Sequence, residues 1–159
     1  MICKWFKDWW NKELPKVEIP PLPDYIEGEE TDKYEFDVMK EIIEYRKMIF
    51  LMRDNTDLIQ DRTLNRIATS HSKFMAKNEE ASHKNFPRRS MWCRRYADAK
   101  QSKEIVAGGY GTPKGVFNGW YNSEGHNKVM LWAEATHYGV SVEKGLNNHL
   151  YYTVIFIKK

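Results

Sequence analysis

Between residues 33 and 53 the apolar positions Val38, Ile42, Tyr45, Ile49 and Met52 recur at helical spacing, with charged residues filling the intervals. That pattern predicts a helix from about Lys33 to Arg53 with one buried stripe. A second helix is predicted from about Asp61 to Lys77, where Leu64, Ile67, Ala68, His71 and Met75 share a face. His71 lies on that apolar face, which favours a hydrogen-bonded core histidine over a ligand. Residues 82–102 lack a clear period and read as loop or weak helix. Thr112 followed by Pro113 is a favourable helix start, and Val116, Phe117 and Trp120 give that helix an apolar face. A short helix is predicted from about Ser123, with Val129, Met130 and Trp132 turned inward.

The C-terminal pattern changes to that of strands. Tyr138–Glu143 alternates, residues 145–148 read as a turn, and 149–157 are nearly continuous in β-branched and aromatic residues. A strand apolar on both sides belongs inside a sheet covered on both faces. Helices first, a hairpin last and a doubly covered strand predict an α+β fold, a three-layer α-β-α sandwich.

The first 31 residues have a different character. Ile2, Trp5, Phe6 and Trp9 fall on one face of a short amphipathic helix over residues 1–12, with Trp10 beside them and lysines around it. Such a face suits a membrane surface or a groove on a protein assembly; packing back on the domain is the alternative. Lys16–Tyr25 holds three prolines and reads as a stiff spacer. The expected organisation is therefore residues 1–31 as tail and linker and 32–159 as one domain.

Composition narrows the classes. With 42% hydrophobic and 14% aromatic residues, a chain of 159 residues can bury a core. A net charge of +3 is too low to argue for nucleic acid. The two cysteines, Cys3 and Cys93, offer no metal-ligand spacing and no expected disulfide. The lysines in the opening segment interrupt any signal-peptide core, and no run reaches the length of a membrane span. Compartment is left open, with an envelope or virion association as one expectation.

Three segments carry candidate chemistry. Gly108–Gly115 lacks the spacing of a phosphate loop and reads as a turn into a helix. Arg88, Arg89, Arg94 and Arg95 surround Trp92 and Tyr96, an arrangement that could bind an anion, with a solvated loop as the plainer reading. His83, Glu104, Glu124 and His126 supply two imidazoles and two carboxylates, the donors of a metal or acid/base site. Each could equally be an ordinary polar residue at an element end.

At those residues the sequence resembles the CAP superfamily of cysteine-rich secretory, antigen 5 and pathogenesis-related proteins, in its short bacterial-type form. The resemblance rests on Ala68-Thr-Ser-His-Ser-Lys-Phe-Met75, Ser82-His83, Lys103-Glu-Ile-Val-Ala107, Gly119-Trp-Tyr-Asn-Ser-Glu-Gly-His126, Gly139-Val-Ser-Val142 and Tyr151-Tyr-Thr-Val-Ile-Phe156, in family order over roughly residues 36–157. It implies the same sandwich and a solvent-filled cleft able to hold a divalent metal such as zinc. By position it makes His83 and His126 the imidazole pair and Glu104 the acid, a base on metal-bound water if the cleft is catalytic. The second acid falls at Ser123, with Glu124 its neighbour. Lys103 and Ile105 replace the family's Gly and Asn, and a lysine beside the acid would lower its basicity. A bacterial or phage-encoded source is implied.

Two functions are therefore expected to compete. One is a cleft that binds a metal or small polar ligand, with hydrolysis as its possible chemistry. The other is a non-enzymatic module docked through its Trp-rich tail. Nucleic-acid binding through the arginines ranks below both.

Overall fold

The computed structural model describes residues 31–50 and 57–159. The Trp-rich segment with Trp5, Phe6, Trp9 and Trp10, the proline spacer, and Met52 and Arg53, expected at the end of the first helix, lie outside the described residues. Within them the chain runs α1 (Asp32–Ile49), β1 (Ile59–Gln60), α2 (Arg62–Asn78), α3 (Phe86–Ala97), β2 (Gln101–Gly108), α4 (Pro113–Tyr121), α5 (Glu124–Met130), β3 (His137–Lys144) and β4 (Leu150–Lys158).

Local chemistry accounts for the helix boundaries. Asp61 caps α2, its carboxylate accepting from the backbone N–H groups of Thr63 and Leu64 at 2.8 and 3.1 Å. Thr112 caps α4 in the same way, accepting from the Gly115 N–H at 3.0 Å, with Pro113 at the first helical position as expected. In α1, Asp32 and Glu35 stand in the first turn and Arg46 and Lys47 in the last, matching the helix dipole.

One segment departs from the sequence expectation. Residues 86–97, read as loop or weak helix, form α3. Its buried residues Arg89, Trp92, Cys93 and Ala97 recur at helical spacing. The stripe was obscured because its first member is an arginine.

The strands form one sheet in the order β1-β3-β4-β2, with β1 parallel to β3 and the other pairs antiparallel. β4 is central and buried along almost its whole length. Its Tyr152, Val154 and Phe156 join a core with α1 and α4, through residues such as Val38, Ile42 and Trp120. Its Ile155 and Ile157 face the other way, onto Leu64, Ile67 and Trp92 of α2 and α3. Alternation along one strand thus builds both interfaces of the three-layer sandwich. α2 packs so closely on β3 that a Cβ at Gly139 would stand 2.2 Å from the Leu64 carbonyl carbon, so only glycine fits there. Among the described residues no helix is long and apolar enough to cross a membrane.

Candidate functional site

β2 occupies one edge of the sheet, and its alternation sends Lys103 and Glu104 to opposite faces. Lys103 lies over the Trp132 ring at 4.6 Å on the α1 side. It is therefore not the cation that governs Glu104, contrary to the expectation from their adjacency.

Glu104 points into the α2–α3 layer, where its side chain is 1% exposed. Its partner there is Arg89. The guanidinium donates from Nε to Oε2 at 2.6 Å and from Nη2 to Oε1 at 2.7 Å, a bidentate buried ion pair. The same guanidinium donates to the Lys84 carbonyl at 2.7 Å and the His83 carbonyl at 3.4 Å. Arg89 thus fixes both the acid and the loop that carries the first candidate histidine. This corrects the reading of Arg89 as part of an anion-binding or solvated cluster. Arg88, Arg94 and Arg95 do remain on exposed positions of α3.

His83 Nδ1 lies 3.1 Å from Glu104 Oε1. Burial alone would push the Glu104 carboxyl up, but the His83 hydrogen bond and the hydrogen bonds and charge of Arg89 outweigh it and hold the pKa below the usual range. Glu104 is therefore an anion that only accepts, and Nδ1 of His83 must be the donor. In the neutral ring this leaves the lone pair on Nε2. The His83 side chain is 53% exposed, so that nitrogen is open to solvent or a ligand.

His71 completes the buried group. Its Nε2 donates to the Ser82 carbonyl at 2.6 Å, and burial holds its pKa down. It is the core histidine that the apolar face predicted, although it stands 4.0 Å from Glu104 Oε1.

The second imidazole comes from the other helical layer. His126 on α5 faces His83 with ring centroids 6.5 Å apart and planes inclined by 26°. Its Nδ1 is 2.8 Å from Oγ of Ser123, the residue before α5. Burial, then the nearness of His83, lowers its pKa, so it is neutral at neutral pH. Among the described residues neither Nε2 has a hydrogen-bond partner. The two rings meet at the β2 edge, each oriented through Nδ1 by an oxygen.

Glu124 does not join them. Its side chain is 84% exposed and pairs with Lys128 one turn along at 2.8 Å, which corrects its candidacy as a catalytic acid. The general-base role expected of Glu104 is also not what the geometry provides, because Arg89 engages both oxygens of a side chain that is 1% exposed. Sequence reasoning named Arg89 as an anion-binding candidate and missed its pairing with Glu104, whose signal was the helical spacing of Arg89 to Trp92 and Cys93. It also missed Ser123 as the partner of His126. No group of three or more His, Cys, Asp or Glu side chains able to hold a metal occurs among the described residues. A cavity of about 610 Å³ lies elsewhere, beside α1.

The sequence profile of the cysteine-rich secretory protein (CAP) family matches residues 53–156. A curated relative, the uncharacterized membrane protein YlbC of Bacillus subtilis, is 30% identical over 140 residues; the match covers 86% of this chain but only 39% of that protein. Among solved structures, an outer surface protein from Borrelia burgdorferi superposes with a TM-score of 0.70 at 24% identity, over 81% of this chain and 95% of its own. An extracellular SCP-domain protein from Bacillus anthracis gives 0.64 at 25% identity, over 86% and 45%.

Proposed function

The chain belongs to the cysteine-rich secretory protein (CAP) family, and from that premise we propose that His83 and His126 form a two-imidazole site for a divalent metal ion such as zinc, or for a small polar ligand. The observation that carries this reading is the shared orientation of the rings. Each Nδ1 is engaged, by Glu104 or by Ser123, so each ring presents Nε2. A carboxylate behind a histidine is the arrangement that fixes a ligating tautomer and raises its basicity.

The donor set fits such an ion in part. Two neutral nitrogens suit zinc, with water filling the remaining positions, so the site is open rather than a closed four-ligand one. A bound ion would act as a Lewis acid toward water or a polar ligand. Glu104 positions His83, and Arg89 holds Glu104. Because Glu104 is too fully engaged to take a proton from water, binding is favoured over hydrolysis.

Calorimetric zinc titration of the full chain tests this. Loss of either ring in His83→Ala or His126→Ala removes half the protein ligands and abolishes measurable binding. Glu104→Gln, which removes only the orienting carboxylate, weakens binding by roughly 10–100-fold. Equal, negligible affinity in all four proteins rejects the site.

A second reading concerns the tail. Trp5, Phe6, Trp9 and Trp10 would dock the domain to a membrane surface or larger assembly. In support, one relative is named a membrane protein. Deleting residues 1–23 should then abolish vesicle binding and leave the domain folded. Unchanged vesicle binding would count against it.

A further inference from the structure

The far edge of the sheet poses a separate question. β1 pairs with β3 only at residues 59–60, opposite His137 and Tyr138, whereas β3 continues to Lys144. The outward edge of β3 is therefore without a strand partner beyond Tyr138. At Tyr138 the partner is still main chain, since the Asp61 N–H donates to its carbonyl at 2.9 Å. Beyond it, side chains take over. The Val140 N–H donates to Asn65 Oδ1 at 3.0 Å, and the Val142 N–H donates to Glu35 Oε1 at 3.0 Å.

A groove of about 610 Å³ runs along this edge, between α1 and the start of α2. It occupies the line that β1 would follow had the chain not turned into α2 at Asp61. Met39, Ile43 and Val140 supply apolar wall, and Phe36 beside them is 69% exposed. The two ends of the groove differ in charge, with Lys40 and Glu44, one helical turn apart, lining it between them. Asp32 and Glu35 stand in the first turn of α1, at the Val142 end; Lys47 lies in its last turn, about 18 Å further along the helix. Arg62, which follows β1, lines the groove too.

We propose that this groove binds an extended peptide segment of a partner protein, which adds to the sheet as a strand parallel to β3 in line with β1, an acidic side chain at the Lys47 and Arg62 end and a basic one at the Asp32 and Glu35 end. The two edge amides, two residues apart on one side of a strand, match the repeat of a peptide backbone, whose carbonyls replace the side-chain acceptors. Glu35 yields its place at low cost. Burial pushes its carboxyl up to about 7 despite the Val142 N–H, so the anion is poorly solvated where it stands.

The test uses the full ¹⁵N-labelled chain and the synthetic peptide acetyl-Glu-Val-Thr-Val-Thr-Val-Lys-amide. Two further versions are N-methylated on one or the other set of alternate residues. Expected are saturable shifts at the Val140 and Val142 amides and roughly tenfold slower exchange there. One N-methylated set binds roughly tenfold more weakly and the other nearly as well as the parent. Lys47→Glu combined with Arg62→Glu, both at exposed positions, also weakens binding by roughly tenfold. The proposal is overturned by no binding, by equal binding of all three peptides, or by binding that leaves both amides unmoved. Contacts from residues 1–30 to the groove in the free chain would overturn it as well, since the occupant would then be the chain itself.

Discussion

Replacing Arg89 with methionine keeps much of its apolar stem and removes both hydrogen bonds to Glu104, leaving a carboxylate 1% exposed with His83 as its hydrogen-bond partner and His71 4.0 Å away. Breaking a buried pair by deleting one partner costs about 3–5 kcal/mol, because the survivor remains desolvated. For a domain of this size that lowers Tm by roughly 10–20 °C. Calorimetry and chemical denaturation at pH 7 read the loss directly. Adding Glu104→Gln to Arg89→Met removes the stranded charge, so the double variant should be more stable than Arg89→Met alone, and the coupling is the quantity of interest. The pH dependence supplies an independent check. The folded Glu104 pKa is depressed, so its stabilisation is present above the unfolded carboxylate pKa of about 4.3 and is lost as pH falls through the lower folded value. In Arg89→Met burial prevails and Glu104 moves the other way. The deficit is therefore largest at neutral pH and shrinks below about pH 4. A cost under about 1 kcal/mol, or a deficit that does not change with pH, would refute the claim that Arg89 keeps this acid ionised.

Glu35 carries the opposite sign. Its folded pKa is raised to about 7, so it favours the protonated fold, and stability falls as pH rises from about 4.5 to 7. Glu35→Gln, which keeps an acceptor for the Val142 N–H, should be more stable than the wild type by about 2–3 kcal/mol at pH 8 and nearly equal at pH 4.5, read from paired denaturation curves. Gly139→Ala drives a Cβ to 2.2 Å from the Leu64 backbone; denaturation should show a loss of about 2–3 kcal/mol, and a neutral result would mean α2 can lift off β3 freely. Asp61→Ala removes the cap from α2 and should cost about 1 kcal/mol by the same assay.

The sequence disclosed those features whose signal is local. Thr112 and Pro113 announce a helix start whatever surrounds them, and the unbroken apolar run from Leu150 to Ile157 can be satisfied only in a strand covered on both faces. The histidine pair was legible too, but only through motif order, since His83 lies in the loop before α3 and His126 on α5 in the other layer, and nothing in their spacing brings them together. What stayed hidden depends on the tertiary environment. Arg89 looks like its exposed neighbours Arg88 and Arg94 until α3 turns it onto Glu104. Glu104 reads as a base until its oxygens are seen to be occupied. Glu124 stands two positions before His126, an offset that on a helix sends their side chains to different sides.

The central claim concerns two nitrogen atoms, and long-range ¹H–¹⁵N correlation of the imidazoles in the full chain observes them. On titrating zinc, Nε2 of both His83 and His126 should move together to the shifts of ligating nitrogens, while Nδ1 of His83 stays protonated toward Glu104. Spectra in which those two Nε2 resonances stand still, or in which only His149 or another surface ring responds, would contradict it.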